Sequence, residues 1–267
     1  MKDNYKLLVI MGSPHKGNTY RACEDLKELI LREIPAEFEY LWLEDANLLP
    51  CKGCLVCFTH GEDKCPNQDD GPLIEKKICE SDGVIFATPV YGMNVTGQMK
   101  IFIDRFSYIF HRPRFFDKKA LLVTTAGVLG HKDVLKYLNT VAGIWGFEIT
   151  GKVGLITPIP LPDHRKEENM RAISKAAGEF AGALKRRQRK SPKLSDIMVF
   201  HGQRAAFSQL MTESPADYKY WKEKGWLDKG VKYFVDLPIN PLYHLIGVLI
   251  EWFARRKVRK DLVHKPG

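Results

Sequence analysis

Long hydrophobic runs are missing from this chain. One strongly apolar stretch, Leu242–Phe253, falls short of the ~20 residues that a membrane-spanning helix needs. The opening MKDNYKLLVIMGS passes from a short apolar segment straight into a glycine turn. It lacks the longer apolar core and small-residue cleavage site of a secretory signal, so the expected location is the cytoplasm. Thiols stay reduced there, and clustered cysteines more often bind metal or do chemistry than form disulfides. Internal repeats and low-complexity segments are also absent, as are the G-x4-G-K-S/T and G-x-G-x-x-G nucleotide-binding patterns. Acidic residues are the minority charge: 32 Asp and Glu against 41 Lys and Arg leave a net charge of +9. The excess gathers at Lys185–Lys193 and Ala254–Lys260. Such charge attracts nucleic acid, anionic lipid or acidic proteins. No zinc-finger or RNP-type pattern accompanies it, so solvated faces and a linker are expected rather than a nucleic-acid surface.

What is present is the composition of a globular protein, with 45% hydrophobic and 27% charged residues over 267 positions. That length suits one large α/β domain, or an ordinary domain with an extension. Apolar runs read as strands at Tyr5–Met11, Phe38–Leu43, Gly83–Thr88, Lys119–Thr125 and Phe147–Ile156. Helical patterns lie between and after them at Thr19–Ile34, Gly71–Ser81, Gly97–Phe110, His131–Gly146 and Lys166–Arg187. Strict alternation with near-continuous apolar strands predicts a parallel sheet covered on both faces. Five strands fit a flavodoxin-like three-layer sandwich of order 2-1-3-4-5, whose ligands sit at the carboxyl ends of the strands.

Beyond the basic KRRQRKSPK segment the rhythm ends. The expected division is a domain over 1–190 and a mainly helical extension over 191–267, rich in aromatics such as Phe200, Phe207, Tyr218, Tyr220, Trp221 and Trp226. Leu242–Phe253 reads as a helix packed on the protein body or on a second subunit. The sharper alternative is a membrane-surface helix, with Arg255, Arg256, Lys257, Arg259 and Lys260 on lipid headgroups.

Two loops carry distinctive chemistry. Gly12-Ser13-Pro14-His15-Lys16-Gly17-Asn18-Thr19 joins the first strand to the first helix, and its hydroxyls, amides and free N–H groups suit a phosphate. Thr88-Pro89-Val90-Tyr91-Gly92-Met93-Asn94-Val95 follows the third strand and leads into TGQMKIFIDR. Together with TTAG at Thr124–Gly127, these segments resemble the NAD(P)H-dependent FMN reductase group of flavodoxin-like proteins. The resemblance spans roughly Lys6 to Arg186. It implies that Ser13, His15, Gly17, Asn18 and Thr19 hold the FMN phosphate. It also implies that Pro89, Val90, Tyr91, Gly92, Asn94, Thr125, Ala126 and Gly127 edge the isoalloxazine ring. His15 stands where the family commonly has Arg, and Gly92-Met93 where it has Phe-Gly. NAD(P)H is the implied electron donor, and a homodimer or homotetramer the implied assembly. Because the flavin carries the chemistry, no side chain is assigned as acid, base or nucleophile. The histidines His111, His131 and His201 are expected to be structural or surface residues.

Four of the six cysteines form C-x2-C-x2-C-x7-C: Cys51, Cys54, Cys57 and Cys65. Two-residue spacings let thiolates converge, as in ferredoxin-type runs, and suit separated zinc knuckles less well. The run resembles that of the iron–sulfur flavoproteins, a branch of the same family, which implies a 4Fe-4S cluster exchanging single electrons with a ferredoxin-type partner. Cluster-free relatives also keep such cysteines followed by an acidic pair, here Asp69-Asp70. Both readings stay open, as does that of a non-catalytic flavodoxin-like electron carrier. Cys23 and Cys79 are expected to be buried thiols within helices.

Overall fold

The computed structural model describes residues 2–186 and 188–263. Met1, Arg187 and residues 264–267 fall within the expected segments 1–190 and 191–267 but lie outside the described residues. The elements run β1 (Tyr5–Met11), α1 (Asn18–Glu33), β2 (Ala36–Trp42), α2 (Val56–Thr59), α3 (Gly71–Glu80), β3 (Gly83–Pro89) and α4 (Gly97–Arg105). They continue with β4 (Lys119–Ala126), α5 (His131–Ile144), β5 (Glu148–Ile156), α6 (Asp163–Lys185), α7 (Leu194–Phe207), α8 (Pro215–Glu223) and α9 (Pro241–Val263). The chain divides into two compact units.

The first unit comprises Met1–Lys52, Asn67–Ser107 and Arg114–Gln188. Its sheet has the order β2-β1-β3-β4-β5, every pair parallel, as the alternating sequence predicts. Successive side chains on a strand point to opposite faces. Leu7, Val9, Met11, Ile85, Ala87, Leu121 and Val123 thus meet Ala22, Leu26 and Ile30 of α1 and Ile173, Ala177 and Phe180 of α6. On the other face Phe86 stands edge-on to Trp145 and Phe147, with ring centroids 6.4 and 5.4 Å away, and Phe102 of α4 packs 5.6 Å from Trp145. These two apolar layers hold the carboxyl ends of β1, β3 and β4 in register, which is where the loops of interest begin. The expected helix Gly97–Phe110 is shorter than its pattern: α4 stops at Arg105 and a 3-10 turn covers Ser107–Phe110. From Tyr108 the chain passes into the second unit.

That second unit comprises Gly53–Pro66, Tyr108–Pro113 and Arg189–Gly267. It therefore contains not only the aromatic extension but also two pieces from within the first 190 residues, one holding most of the cysteine run. Phe200, Phe207, Trp221, Trp226 and Phe234 form its core, with ring centroids 4.8–5.9 Å apart between neighbours. Among the described residues no helix is long and apolar enough to cross a membrane.

Candidate functional site

The loop after β1 folds around one carbonyl. Ser13 Oγ and the Gly17 N–H both donate to the His15 carbonyl oxygen, each at 2.8 Å. Gly17 caps α1 in an extended conformation and offers no side-chain hydrogen bond to the helix. A helix amino terminus has N–H groups without intrahelical partners and a partial positive charge, so one with no side-chain cap suits an anion. Gly12 lies tight beneath the loop. Its carbonyl accepts from Thr96 Oγ1 at 2.7 Å, and a Cβ there would stand 3.1 Å from the Met99 side chain. His15 and Lys16 are exposed, Gly17 and Asn18 half-buried, and Ser13 and Thr19 buried.

The loops after β3 and β4 are tied to the first. Thr19 Oγ1 and Thr125 Oγ1 share a buried 2.7 Å hydrogen bond, and the Val90 N–H donates to the Thr125 carbonyl at 2.8 Å. Tyr91 and Asn94 exchange backbone hydrogen bonds of 2.9 and 3.0 Å around Gly92 (φ 52°) and Met93 (φ 64°). Two left-handed residues define a type I′ turn, which Gly92 adopts freely and Met93 adopts against steric preference. Asn94 Oδ1 accepts from the Val95 N–H at 2.8 Å, stiffening the exit from the turn. Ser13, His15, Gly17, Asn18, Thr19, Pro89, Val90, Tyr91, Gly92, Asn94, Thr125, Ala126 and Gly127 thus all lie at the carboxyl edge of β1, β3 and β4. Three residues that the motifs contain were given no role from the sequence. Thr96 caps α4 while bracing Gly12, a role visible in hindsight from its place before the helical pattern. Thr88 Oγ1 accepts from the Thr96 N–H at 3.3 Å. The hydroxyl of Thr124 is buried and has no hydrogen-bond partner.

This edge fits flavin mononucleotide. The uncapped start of α1 matches a phosphate, the orphaned Thr124 hydroxyl awaits a polar partner, and the crowded Gly12 leaves no room for a side chain. Tyr91, Met93, Val128 and Leu129 are exposed between 46% and 70%, giving an apolar rim on which a flat ring can lie.

The cysteine loop is arranged differently. Cys51 and Cys54 are exposed, and Cys57 and Cys65 half-buried. Cys51 falls in the first unit and the other three in the second. Among the described residues no three His, Cys, Asp or Glu side chains are arranged to hold a metal ion. The donor types suit an iron–sulfur cluster, but in this structure they do not form a cage. What pins the loop is polar. In the first unit, buried Asp69 takes N–H groups of Leu49 (3.0 Å) and Gly71 (3.1 Å) and a two-point contact from Arg105 (2.8 and 3.2 Å). Burial alone would raise its pKa; the Arg105 contact and the two N–H bonds outweigh that and hold it below the ordinary carboxylate value. In the second unit, Arg112 donates to the Cys57 carbonyl at 2.8 Å and pairs with Glu62 at 3.1 Å and with fully buried Asp217 at 3.5 Å. Asp217 also meets His111 Nδ1 at 2.7 Å and accepts from Ser214 Oγ at 2.5 Å.

Cys23 is buried as expected, and burial raises its thiol pKa. Cys79 is not: it is exposed near the end of α3, because Ile74 and Ile78 face the sheet and the next position turns about 100° away. His111 and His201 are both tied to carboxylates, His201 to Glu251 at 2.7 Å. His131 Nδ1 is buried without a hydrogen-bond partner, and burial followed by the Lys132 charge lowers its pKa.

The comparisons agree with this geometry. Residues 5–156 match the family described as NADPH-dependent FMN reductase. An iron–sulfur flavoprotein of Archaeoglobus fulgidus is 33% identical over 226 residues, which cover 83% of this chain and 100% of that protein. An iron–sulfur flavoprotein of Clostridioides difficile is 31% identical over 227 residues, 82% of this chain and 98% of that one. The fold is similar to that of an NAD(P)H:quinone oxidoreductase from Methanothermobacter marburgensis, with TM-score 0.52, 15% identity and coverage of 65% and 94% of the two chains. It is also similar to RosB solved with 8-demethyl-8-formylriboflavin-5′-phosphate, with TM-score 0.55, 15% identity and coverage of 68% and 80%. With three strand-end loops tied into one edge and a family match across all five strands, this chain belongs to the NADPH-dependent FMN reductase family and is an FMN-dependent oxidoreductase.

Proposed function

We propose that the protein draws electrons from a reduced nicotinamide nucleotide, NADH or NADPH, and delivers them through FMN to a small acceptor. The observation that carries this reading is the mutual bracing of three loops: Thr19 to Thr125, Thr125 to Val90, and Thr96 to Gly12. FMN supplies, when bound, a centre that accepts a hydride and can release electrons in pairs or singly. The chain's own residues bind and orient. The start of α1, with Ser13, Asn18 and Thr19, holds the phosphate, and exposed His15 adds positive charge when protonated. Backbone groups of Pro89–Gly92 and Thr125–Gly127 would bind the ring edge, and Tyr91, Met93, Val128 and Leu129 would keep water from its face. No side chain moves a proton in this scheme. The test is anaerobic addition of NADH or NADPH to the FMN-loaded protein. Bleaching of the flavin absorbance is expected; retained FMN that neither nucleotide bleaches overturns the nicotinamide-linked reading.

The exposed apolar rim also supports a homodimer or homotetramer as the working form. A second reading rests on the C-x2-C-x2-C-x7-C spacing of Cys51, Cys54, Cys57 and Cys65 and on the names of the relatives. It takes the protein for an iron–sulfur flavoprotein, with a 4Fe-4S cluster on these cysteines and a ferredoxin-type partner. Iron and sulfide analysis after anaerobic purification decides it, and protein with neither element overturns it.

A further inference from the structure

Helix α9 faces two ways. Inward it is fastened to α7: Gly247 lies against the His201 ring and Ile197, Glu251 pairs with His201 at 2.7 Å, and Gln209 donates to the Arg255 carbonyl at 3.1 Å. Outward it shows Leu242, Leu245, Val248, Leu249, Trp252 and Phe253, each between 44% and 64% exposed. Singly exposed apolar residues are ordinary, whereas six in one stripe mark a binding surface. The same side then turns cationic at Arg256, Lys257, Arg259 and Lys260, all exposed. The two halves meet at Trp252, whose ring carries the Arg256 guanidinium 3.5 Å from its centroid.

From the order of side chains along this exposed stripe, apolar, then aromatic, then cationic, we propose that α9 docks the protein on an anionic phospholipid surface. Leu242, Leu245, Val248 and Leu249 enter the acyl boundary, Trp252 lies at the level where its ring favours the interface, and the four cations reach lipid phosphates. A second copy of the chain fits the stripe poorly. Glu251 is the sole acid between 241 and 260 and is turned inward to His201, so paired stripes oppose cations to cations or to apolar turns. Nucleic acid leaves the apolar half unused. Only a bilayer interface matches both halves.

The experiment uses the full, FMN-loaded chain and two vesicle types, pure phosphatidylcholine and phosphatidylcholine mixed with phosphatidylglycerol. Expected at low salt is sedimentation with the anionic vesicles, weaker binding to the neutral ones, and quenching of tryptophan emission by brominated lipid that is lost in Trp252→Phe. Arg256→Glu with Lys257→Glu lowers vesicle affinity on the order of tenfold or more, and Leu245→Asn with Leu249→Asn lowers it comparably. An unaltered far-ultraviolet circular dichroism spectrum and an unaltered thermal unfolding curve confirm that each variant is folded. Failure to bind anionic vesicles overturns the proposal, as does binding that neither double variant weakens. A self-association abolished by the Leu variants, without vesicle binding, assigns the stripe to a second copy and overturns it as well.

Discussion

Asn18 opens α1 directly after a glycine that offers no side-chain cap, and its Oδ1 accepts from Arg21 at 3.3 Å. A negative charge there stabilises the helix by about 0.3–1 kcal/mol but repels a phosphate at the same N–H groups. Asn18→Asp is therefore expected to raise the melting temperature of the flavin-free protein slightly while weakening FMN binding on the order of tenfold. Fluorescence titration with FMN and thermal unfolding read the two effects, and unchanged FMN affinity removes the phosphate from α1. Asp69 carries a different weight. Its depressed pKa means that its contribution to stability is present above the ordinary carboxylate value of about 4 and fades as pH falls through the lowered one. Asp69→Asn removes the charge of the two-point carboxylate contact to buried Arg105 and is expected to cost about 3 kcal/mol near neutral pH. The gap to the unaltered protein narrows in acid. Urea unfolding across that range measures it, and a gap independent of pH contradicts the assignment.

The strands of the first unit were legible from their apolar runs, and each observed boundary lies within two residues of the pattern. The parallel pairing followed from alternation, and the order from five strands at this length. The phase of a short helix was harder to read: Cys79 sits one residue past buried Ile78 and so faces water. Longer-range pairings left no local mark at all. Nothing beside Arg112 announces Asp217, and nothing beside His201 announces Glu251, since each partner is brought by a different helix or turn. The α7–α9 contact depends on one such pairing. Glu251 titrates at about 2: burial opposes its charge, but hydrogen bonds from His201 and Arg255 prevail. Gly247 allows the approach, because a Cβ there would run into the His201 ring. Gly247→Ala is expected to cost about 1–3 kcal/mol. Faster hydrogen exchange along α9 would show it, and an unchanged exchange pattern would contradict the packing.

The chain's two compact units divide the flavin candidates from most of the cysteine run. All thirteen candidate flavin residues lie in the first, while Cys54, Cys57 and Cys65 lie in the second. FMN at about one hundred times its dissociation constant stabilises the state that binds it by about 2.7 kcal/mol. Replacing Cys51, Cys54, Cys57 and Cys65 with serine is expected to leave that increment intact, since none of the thirteen candidate flavin residues is a cysteine. Calorimetry with and without FMN tests this, and loss of the increment would make the cysteines part of the flavin site. The net charge of +9 bears on the outer surface, where the exposed end of α9 concentrates several of the cations.

Sheet order, the position of the three strand-end loops and the family chemistry could all be read from the chain, because alternating hydrophobicity and short loop motifs are local properties. Which faces stay open could not. Leu242–Phe253 reads as a helix that packs, and α9 does pack, yet the same turns leave six large apolar side chains in solvent. The cysteine run reads as one motif, yet the fold hands its first thiol to one unit and the rest to the other. Burial is set by what a neighbouring element covers. That depends on contacts between residues far apart in the chain, which no local pattern encodes.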